Sequence, residues 1–278
     1  MSSSRASKQS LHEQLPSRLR RRALVFDVID STNRVARDWS ADGADAGSFV
    51  LADHQSAGRG RLGRTWNSTP GSSLLLSMIW DIPDAASAKL SLIPLAAAVA
   101  VTRSIESVYR DLMPTIKWPN DLLIGGRKCG GILAESVRGS AGTRAIIGVG
   151  LNVHRTEFST EVRFPPTWID AETTLPVERI DLLARLVDEL DGAATRFQAV
   201  GDSGDAWLLS EYRKRLLGID RPITFQRDSS GDRVSGHFRG VSDSGAMILE
   251  SDGRVSELWA GEISGINFEP DKLDEPAR

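Results

Sequence analysis

The sequence predicts an α+β protein, with a mixed sheet flanked by helices followed by a small C-terminal β-barrel. Three observations carry that prediction. Strand-like and helix-like stretches are interspersed from Ala23 to Leu217. After Gly218 only short strand-like stretches remain, spaced by roughly ten residues and divided by turn signals. The length, 278 residues, suits one large domain and one small one. The expected division is a flexible basic arm over 1–22, a large domain over 23–218, a barrel over 219–268 and a tail over 269–278.

Residues 1–22 carry six bases (Arg5, Lys8, Arg18, Arg20, Arg21, Arg22) against a single acid, Glu13. They read as a solvated, flexible arm, with a targeting or nucleic-acid role as the other reading. Ala23–Ile29 reads as a strand. Asp30, Ser31, Thr32 and Asn33 offer N-caps for a helix reaching Ser40. Ser48–Gln55 is a second strand, Ser56–Ser72 a Gly/Arg-rich loop and Ser73–Trp80 a strongly apolar strand. Lys89–Arg110 reads as one long buried helix, with Pro94 tolerable only in its first turn or at a break. Strands are expected near Thr115–Trp118, Leu122–Gly125, Gly131–Val137 and Arg144–Val153. Helices are expected over Glu178–Val200 and Asp205–Leu217. Pro222–Gln226, Arg233–Val241, Ala246–Glu250 and Val255–Trp259 read as barrel strands, the last two joined by the hairpin signal Asp252-Gly253.

Composition narrows the function. Hydrophobic residues are 40% and charged residues 26% of the chain, an ordinary globular balance. Thirty-four bases against 37 acids give a net charge of −3, which argues against a dedicated nucleic-acid coat protein. The single cysteine, Cys129, excludes an internal disulfide framework and a cysteine-cluster zinc site, and it reads as a small packing residue. The longest apolar run, Leu90–Val101, is too short for a membrane span of about 20 residues. The amino terminus lacks a signal-type apolar core, so a cytoplasmic location is expected.

Four segments carry candidate chemistry. In Gly58-Arg59-Gly60-Arg61-Leu62-Gly63-Arg64-Thr65-Trp66, glycines expose backbone N–H groups while arginines supply fixed charge. That composition suits a doubly anionic ligand or, equally, an exposed RNA-friendly loop. Lys117-Trp118-Pro119-Asn120-Asp121 is either a turn or a set of hydrogen-bonding groups. In Arg127-Lys128-Cys129-Gly130-Gly131-Ile132-Leu133-Ala134-Glu135, Lys128 ahead of two glycines and an apolar strand is either an exposed hairpin lysine or a point charge beside open backbone. Asn152, on an apolar strand with Gly148 and Gly150, is either a satisfied structural amide or a ligand contact.

The order and wording of these segments resemble the biotin protein ligases, the biotin–[acetyl-CoA-carboxylase] ligases, across Ala23–Val153 and more loosely to Phe268. The resemblance implies a catalytic domain like that of class II aminoacyl-tRNA synthetases and lipoate ligases, and an SH3-like barrel. It implies an enzyme that condenses biotin with ATP and Mg²⁺ to biotinoyl-5′-AMP. The biotinoyl group then passes to a lysine of a biotin carboxyl carrier protein domain of an acyl-CoA carboxylase. It assigns biotin contacts to Ser31, Thr32, Asn33, Gln55, Arg59, Gly60, Arg61, Lys128, Gly130 and Gly131. It assigns ATP contacts to Arg64, Trp66, Asn120, Lys128 and Asn152. Lys128, Arg61 and Asp121 take catalytic roles, Asp121 by orienting the attacking lysine or by helping to hold Mg²⁺. Only about 22 polar residues precede the fold, so the expectation is a monofunctional ligase with no nucleic-acid or membrane partner. The alternatives are a lipoyl or octanoyl ligase or transferase of related fold, and a biotin-responsive nucleic-acid-binding regulator.

Overall fold

The structure, a computed structural model, describes residues 11–139, 142–155, 165–199, 202–226, 233–259 and 261–264. It opens with two single-turn helices, α1 (Leu11–Gln14) and α2 (Ser17–Arg20). This corrects part of the expected flexible arm. Leu15 and Leu19 are each 1% exposed and join the main core. Burying a leucine contributes roughly 1.5–3 kcal/mol, enough to order a short polar segment. Arg18 pairs with Asp188 at 2.7 Å and Arg22 with Asp191 at 2.7 Å, which pins the segment's basic side to a later helix. Residues 1–10 and the expected tail 269–278 lie outside the described residues.

The large sheet begins with β1 (Ala23–Ile29), followed by α3 (Thr32–Ala41), β2 (Phe49–Gln55) and β3 (Ser73–Ile82). The expected single helix over 89–110 is two elements, a 3-10 stretch Asp84–Leu92 and then α4 (Ile93–Val108). Pro94 stands in the first turn of α4, where its missing N–H costs nothing. Next come β4 (Thr115–Lys117), β5 (Asp121–Ile124), β6 (Arg127–Gly139), β7 (Gly142–Asn152), α5 (Ile169–Glu172), α6 (Arg179–Gln198) and α7 (Asp202–Arg215). Strand order is β1-β2-β3-β7-β6-β5-β4. β1 and β2 are parallel and every other pair is antiparallel, so the sheet is mixed as expected.

The two faces of this sheet follow from strand alternation. Leu74, Leu76, Met78 and Trp80 on β3, with Ala145, Ile147, Val149 and Leu151 on β7, join the core cluster containing α4 and α6. Ile79 and Ile146 point the other way and pack with Ala36 of α3. On that second face β3 also carries Ser77, β7 carries Gly148 and Gly150, and β6 carries Gly131, Leu133 and Glu135. The register sets Ser77 opposite Gly148, Gly150 opposite Gly131, and Gly148 opposite Leu133. The stretch is therefore small and polar where the rest of the sheet is apolar. Lys89–Val108 is long and apolar enough to cross a membrane, yet its lining is the central core of this fold.

The second sheet holds β8 (Pro222–Gln226), β9 (Arg233–Val241), β10 (Met247–Ser251), β11 (Arg254–Leu258) and β12 (Glu262–Ser264), in order β11-β10-β9-β8-β12. Five antiparallel strands of this size are compatible with the expected SH3-like barrel. It docks beneath the Lys117–Asp121 segment. The Trp118 indole donates to the Gly245 carbonyl at 3.1 Å and tilts against the Phe225 ring, with centroids 6.4 Å apart.

Candidate active site

The second face of the sheet opens as a cleft of about 110 Å³ under the N-terminus of α3. Its lining includes Ser31, Thr32, Asn33, Gln55, Arg59, Gly60, Arg61, Arg64, Trp66, Asn120, Lys128 and Gly131, twelve residues that the sequence singled out. They come from five places: the start of α3, the end of β2, the Gly/Arg loop, the β4–β5 turn and β6.

Four amides and hydroxyls organise the floor: buried Thr32, Asn33 and Ser77, and half-buried Gln55. The Thr32 N–H and Oγ–H both donate to Gln55 Oε1, at 2.7 and 3.0 Å. That fixes the Gln55 amide with its Nε2 as the remaining donor. Asn33 Nδ2 donates to the Leu133 carbonyl at 3.2 Å and to Glu135 at 2.9 Å. Its Oδ1 therefore faces the Ser77 hydroxyl, 2.6 Å away, and keeps one lone pair. The absence of a side chain at Gly148 makes this possible, since a Cβ there would lie 2.1 Å from Asn33 Oδ1.

The Gly/Arg loop is more ordered than a plain loop. Arg59 and Thr65 form a bridge, the Trp66 N–H donates to the Gly58 carbonyl at 2.9 Å, and Arg61–Gly63 makes a 3-10 turn. Arg61 donates to Asn120 Oδ1 at 3.0 Å and reaches the Gly261 carbonyl of the second sheet at 3.5 Å. The Trp66 ring lies on the glycine pair of β6 and β7. A Cβ at Gly150 would come within 2.7 Å of it, and one at Gly131 within 3.4 Å. The Trp66 Nε1 is buried without a hydrogen-bond partner.

Beside the cleft stands a three-charge cluster. Lys128 Nζ lies 2.5 Å from Asp121 Oδ1, and Lys117 Nζ lies 2.8 Å from Asp121 Oδ2. Burial pushes the Asp121 carboxyl up, but the two ammonium groups outweigh it and hold the carboxyl down at about 2. Lys117 is 1% exposed, whereas the Lys128 side chain is 31% exposed and borders the cleft. With both oxygens already on lysines, Asp121 does not fit a divalent cation. Among the described residues no group of three or more His, Cys, Asp or Glu could hold a metal ion either.

Three assigned residues sit outside the cleft lining. Asp121 stands behind Lys128, as described. Gly130 lies in the sheet interior, where a Cβ would meet Leu151 at 2.5 Å and the Gly150 carbonyl at 2.9 Å. Asn152 lies beneath Lys128, donating to the carbonyls of Thr167 at 3.2 Å and Lys128 at 3.5 Å, with its buried Oδ1 unpartnered. Ser77, Glu135, Gly148 and Lys117 were not assigned to the site from sequence. Lys117, Gly148 and Glu135 had a signal there, since all three stand inside segments already singled out. Cys129 is wholly buried, and burial pushes its thiol up to about 12, which fits a packing role.

Comparison with known proteins adds three findings. Residues 25–152 match the Biotin/lipoate A/B protein ligase family. The chain is 34% identical over 249 residues to the biotin--[acetyl-CoA-carboxylase] ligase of Mycobacterium tuberculosis, covering 86% of this chain and 88% of that one. It is also 34% identical over 258 residues to the bifunctional ligase/repressor BirA of Salmonella typhimurium, covering 91% of this chain and 76% of the relative. In fold it superposes on the biotin protein ligase of Aquifex aeolicus in complex with biotin and ATP. The TM-score is 0.73 at 23% identity, over 87% of this chain and 97% of that one.

Proposed function

The chain belongs to the biotin protein ligase family, and on that premise we propose how its cleft performs the reaction. The activity is ATP-dependent biotinylation. The biotin carboxylate attacks the α-phosphorus of ATP, pyrophosphate leaves, and biotinoyl-5′-AMP forms. A carrier-protein lysine then attacks the acyl carbon and AMP leaves. We assign the carrier to a biotin carboxyl carrier domain of an acyl-CoA carboxylase. Mg²⁺ is taken to arrive as the nucleotide complex, held by the ATP phosphates, and the compartment to be cytoplasmic.

The observation that carries the residue assignments is the Lys128–Asp121–Lys117 cluster at the cleft edge. The first step presses a carboxylate against an anionic phosphate, so it needs a cation that can move between them. Lys128 is that cation. It rests on Asp121 and exchanges onto the incoming anions, while Lys117 remains behind and keeps the buried carboxylate compensated. Asp121 then becomes free on one oxygen to orient the incoming lysine amine.

The floor supports a cyclic urea. A urea ring offers one carbonyl acceptor and two N–H donors. Gln55 presents a donor through Nε2, and Asn33 presents an acceptor through Oδ1. The Trp66 ring, backed by Gly131 and Gly150, suits a stacked adenine on its other face. Arg59, Arg61 and Arg64 supply fixed positive charge above the phosphate. The Asn120 side chain ties Arg61 to the β4–β5 turn.

The decisive experiment incubates a purified apo-carrier domain with the protein, biotin, Mg²⁺ and ATP, and weighs it by mass spectrometry. One added biotinoyl group is expected only when every component is present. A carrier of unchanged mass would sink the reading.

A further inference from the structure

Glu135 has no role in the reaction as described, yet its carboxylate on β6 touches two residues that line the cleft, Asn33 and Arg59. An acid beside a site for two anionic substrates is electrostatically adverse unless it is compensated. Here it is compensated from two other elements. Its Oε2 accepts from Asn33 Nδ2 at 2.9 Å and from Arg37 of α3 at 3.0 Å. Its Oε1 lies 3.8 Å from the Arg59 guanidinium of the Gly/Arg loop. The Glu135 side chain is 25% exposed, and Arg59 is 55% exposed.

Two consequences follow from this geometry. An ionised carboxylate only accepts, so it can bind Asn33 only through the Nδ2 hydrogens. That turns Asn33 Oδ1 toward Ser77 and the ligand, and a flipped amide would set oxygen against oxygen. The same carboxylate is also an ion-pair partner of Arg59 in the Gly/Arg loop. We propose that Glu135 is a positioning residue for this reaction. It sets the amide orientation of Asn33 on the cleft floor, and through Arg59 it tethers the Gly/Arg loop over the bound intermediate. The inference rests on the ligase reading above, and wild-type biotinylation in the same assay tests that reading separately.

The test uses Glu135→Gln, Glu135→Ala and Arg59→Ala in the full chain. Two quantities are read: the biotin KM, and the fraction of biotinoyl-5′-AMP released to solution per turnover without carrier. Glu135→Gln keeps an acceptor for Asn33 but removes the charge facing Arg59. It is expected to keep the biotin KM within about twofold while raising released adenylate about fivefold or more, since the charge facing Arg59 and Arg37 is lost while the acceptor for Asn33 remains. Glu135→Ala loses all three contacts, that to Asn33 included, so its biotin KM is expected to rise about tenfold as well, the scale of one hydrogen bond to a charged group. Arg59→Ala should leak as Glu135→Gln does, and the double variant Glu135→Gln/Arg59→Ala no more than either, because the two act through one contact. Wild-type leakage in Glu135→Gln overturns the tether. Should Glu135→Ala fold poorly, Glu135→Gln together with the double variant still decides it. A Glu135→Ala enzyme with unchanged biotin KM overturns the floor assignment.

Discussion

Lys128 and Asp121 meet at 2.5 Å, ammonium nitrogen to carboxylate oxygen, at the one edge of the cleft where a buried carboxylate is doubly compensated. The two lysines on Asp121 are not equivalent. Lys117 is sealed from solvent, whereas Lys128 borders the cleft. The asymmetry lets one cation leave for a ligand without orphaning the carboxylate, a change that would otherwise cost about 3–5 kcal/mol.

Substitution of Lys128 by Met separates chemistry from folding. Asp121 keeps Lys117 at 2.8 Å, so the melting temperature should change little. Adenylate formation should fall about 10²–10³-fold, the usual effect of deleting one group that stabilises developing charge. Pyrophosphate release measured alongside thermal unfolding checks both halves. Adenylation at the wild-type rate would remove Lys128 from its assigned role.

Acid should weaken this fold through Asp121. Burial alone would raise its carboxyl, but Lys128 and Lys117 pull it from 3.8 to about 2 in the folded state. A folded-state value below the unfolded one means that the contribution is present above about pH 4 and is lost as pH falls toward about 2. The difference is about 2 kcal/mol. Urea unfolding from about pH 6 down to about pH 2 should show wild type losing this increment while Asp121→Asn does not. Parallel slopes for the two proteins would mean that the pair contributes nothing to acid sensitivity.

The sequence made some of this site legible, and not the rest, for physical reasons. Gly58–Trp66, Lys117–Asp121 and Lys128–Gly131 stood out because glycine, arginine and a lysine before glycines are informative by residue type. Twelve of their residues and neighbours do gather in one cleft. Ser77 carried no such signal, and Glu135 closed the Lys128 segment without a role of its own. An acid late in a strand reads like a solvent-facing residue, and a serine in Ser73–Trp80 reads like a tolerated small side chain. Their importance arises from cross-strand register, which sets Ser77 opposite Gly148 and Glu135 opposite Ile146. Leu15 and Leu19 were hidden by polar neighbours, because their burial depends on a core assembled from distant parts of the chain, to which Arg18 is tied by Asp188, 170 residues away. Gly130 was grouped with Gly131 by adjacency, but successive residues of a strand face opposite ways, so only one of the two lines the cleft.

Gly148→Ala tests the floor with a single methyl group. The backbone at Gly148 is ordinary extended strand that any residue adopts, so the effect is steric alone. The new Cβ would stand 2.1 Å from Asn33 Oδ1 and 2.9 Å from its Cγ. Asn33 cannot retreat cheaply, because Ser77, the Leu133 carbonyl and Glu135 hold its amide from three sides. Displacing it should raise the biotin KM about tenfold, the scale of losing one well-placed hydrogen bond in a buried site. The ATP KM should move far less, since Trp66 rests on Gly131 and Gly150 instead. Titration of each substrate at saturating levels of the other reads the two constants separately. A Gly148→Ala enzyme with an unaltered biotin KM would show that Asn33 does not contact biotin. A rise in both constants together would point to a general collapse of the floor rather than to the loss of one contact.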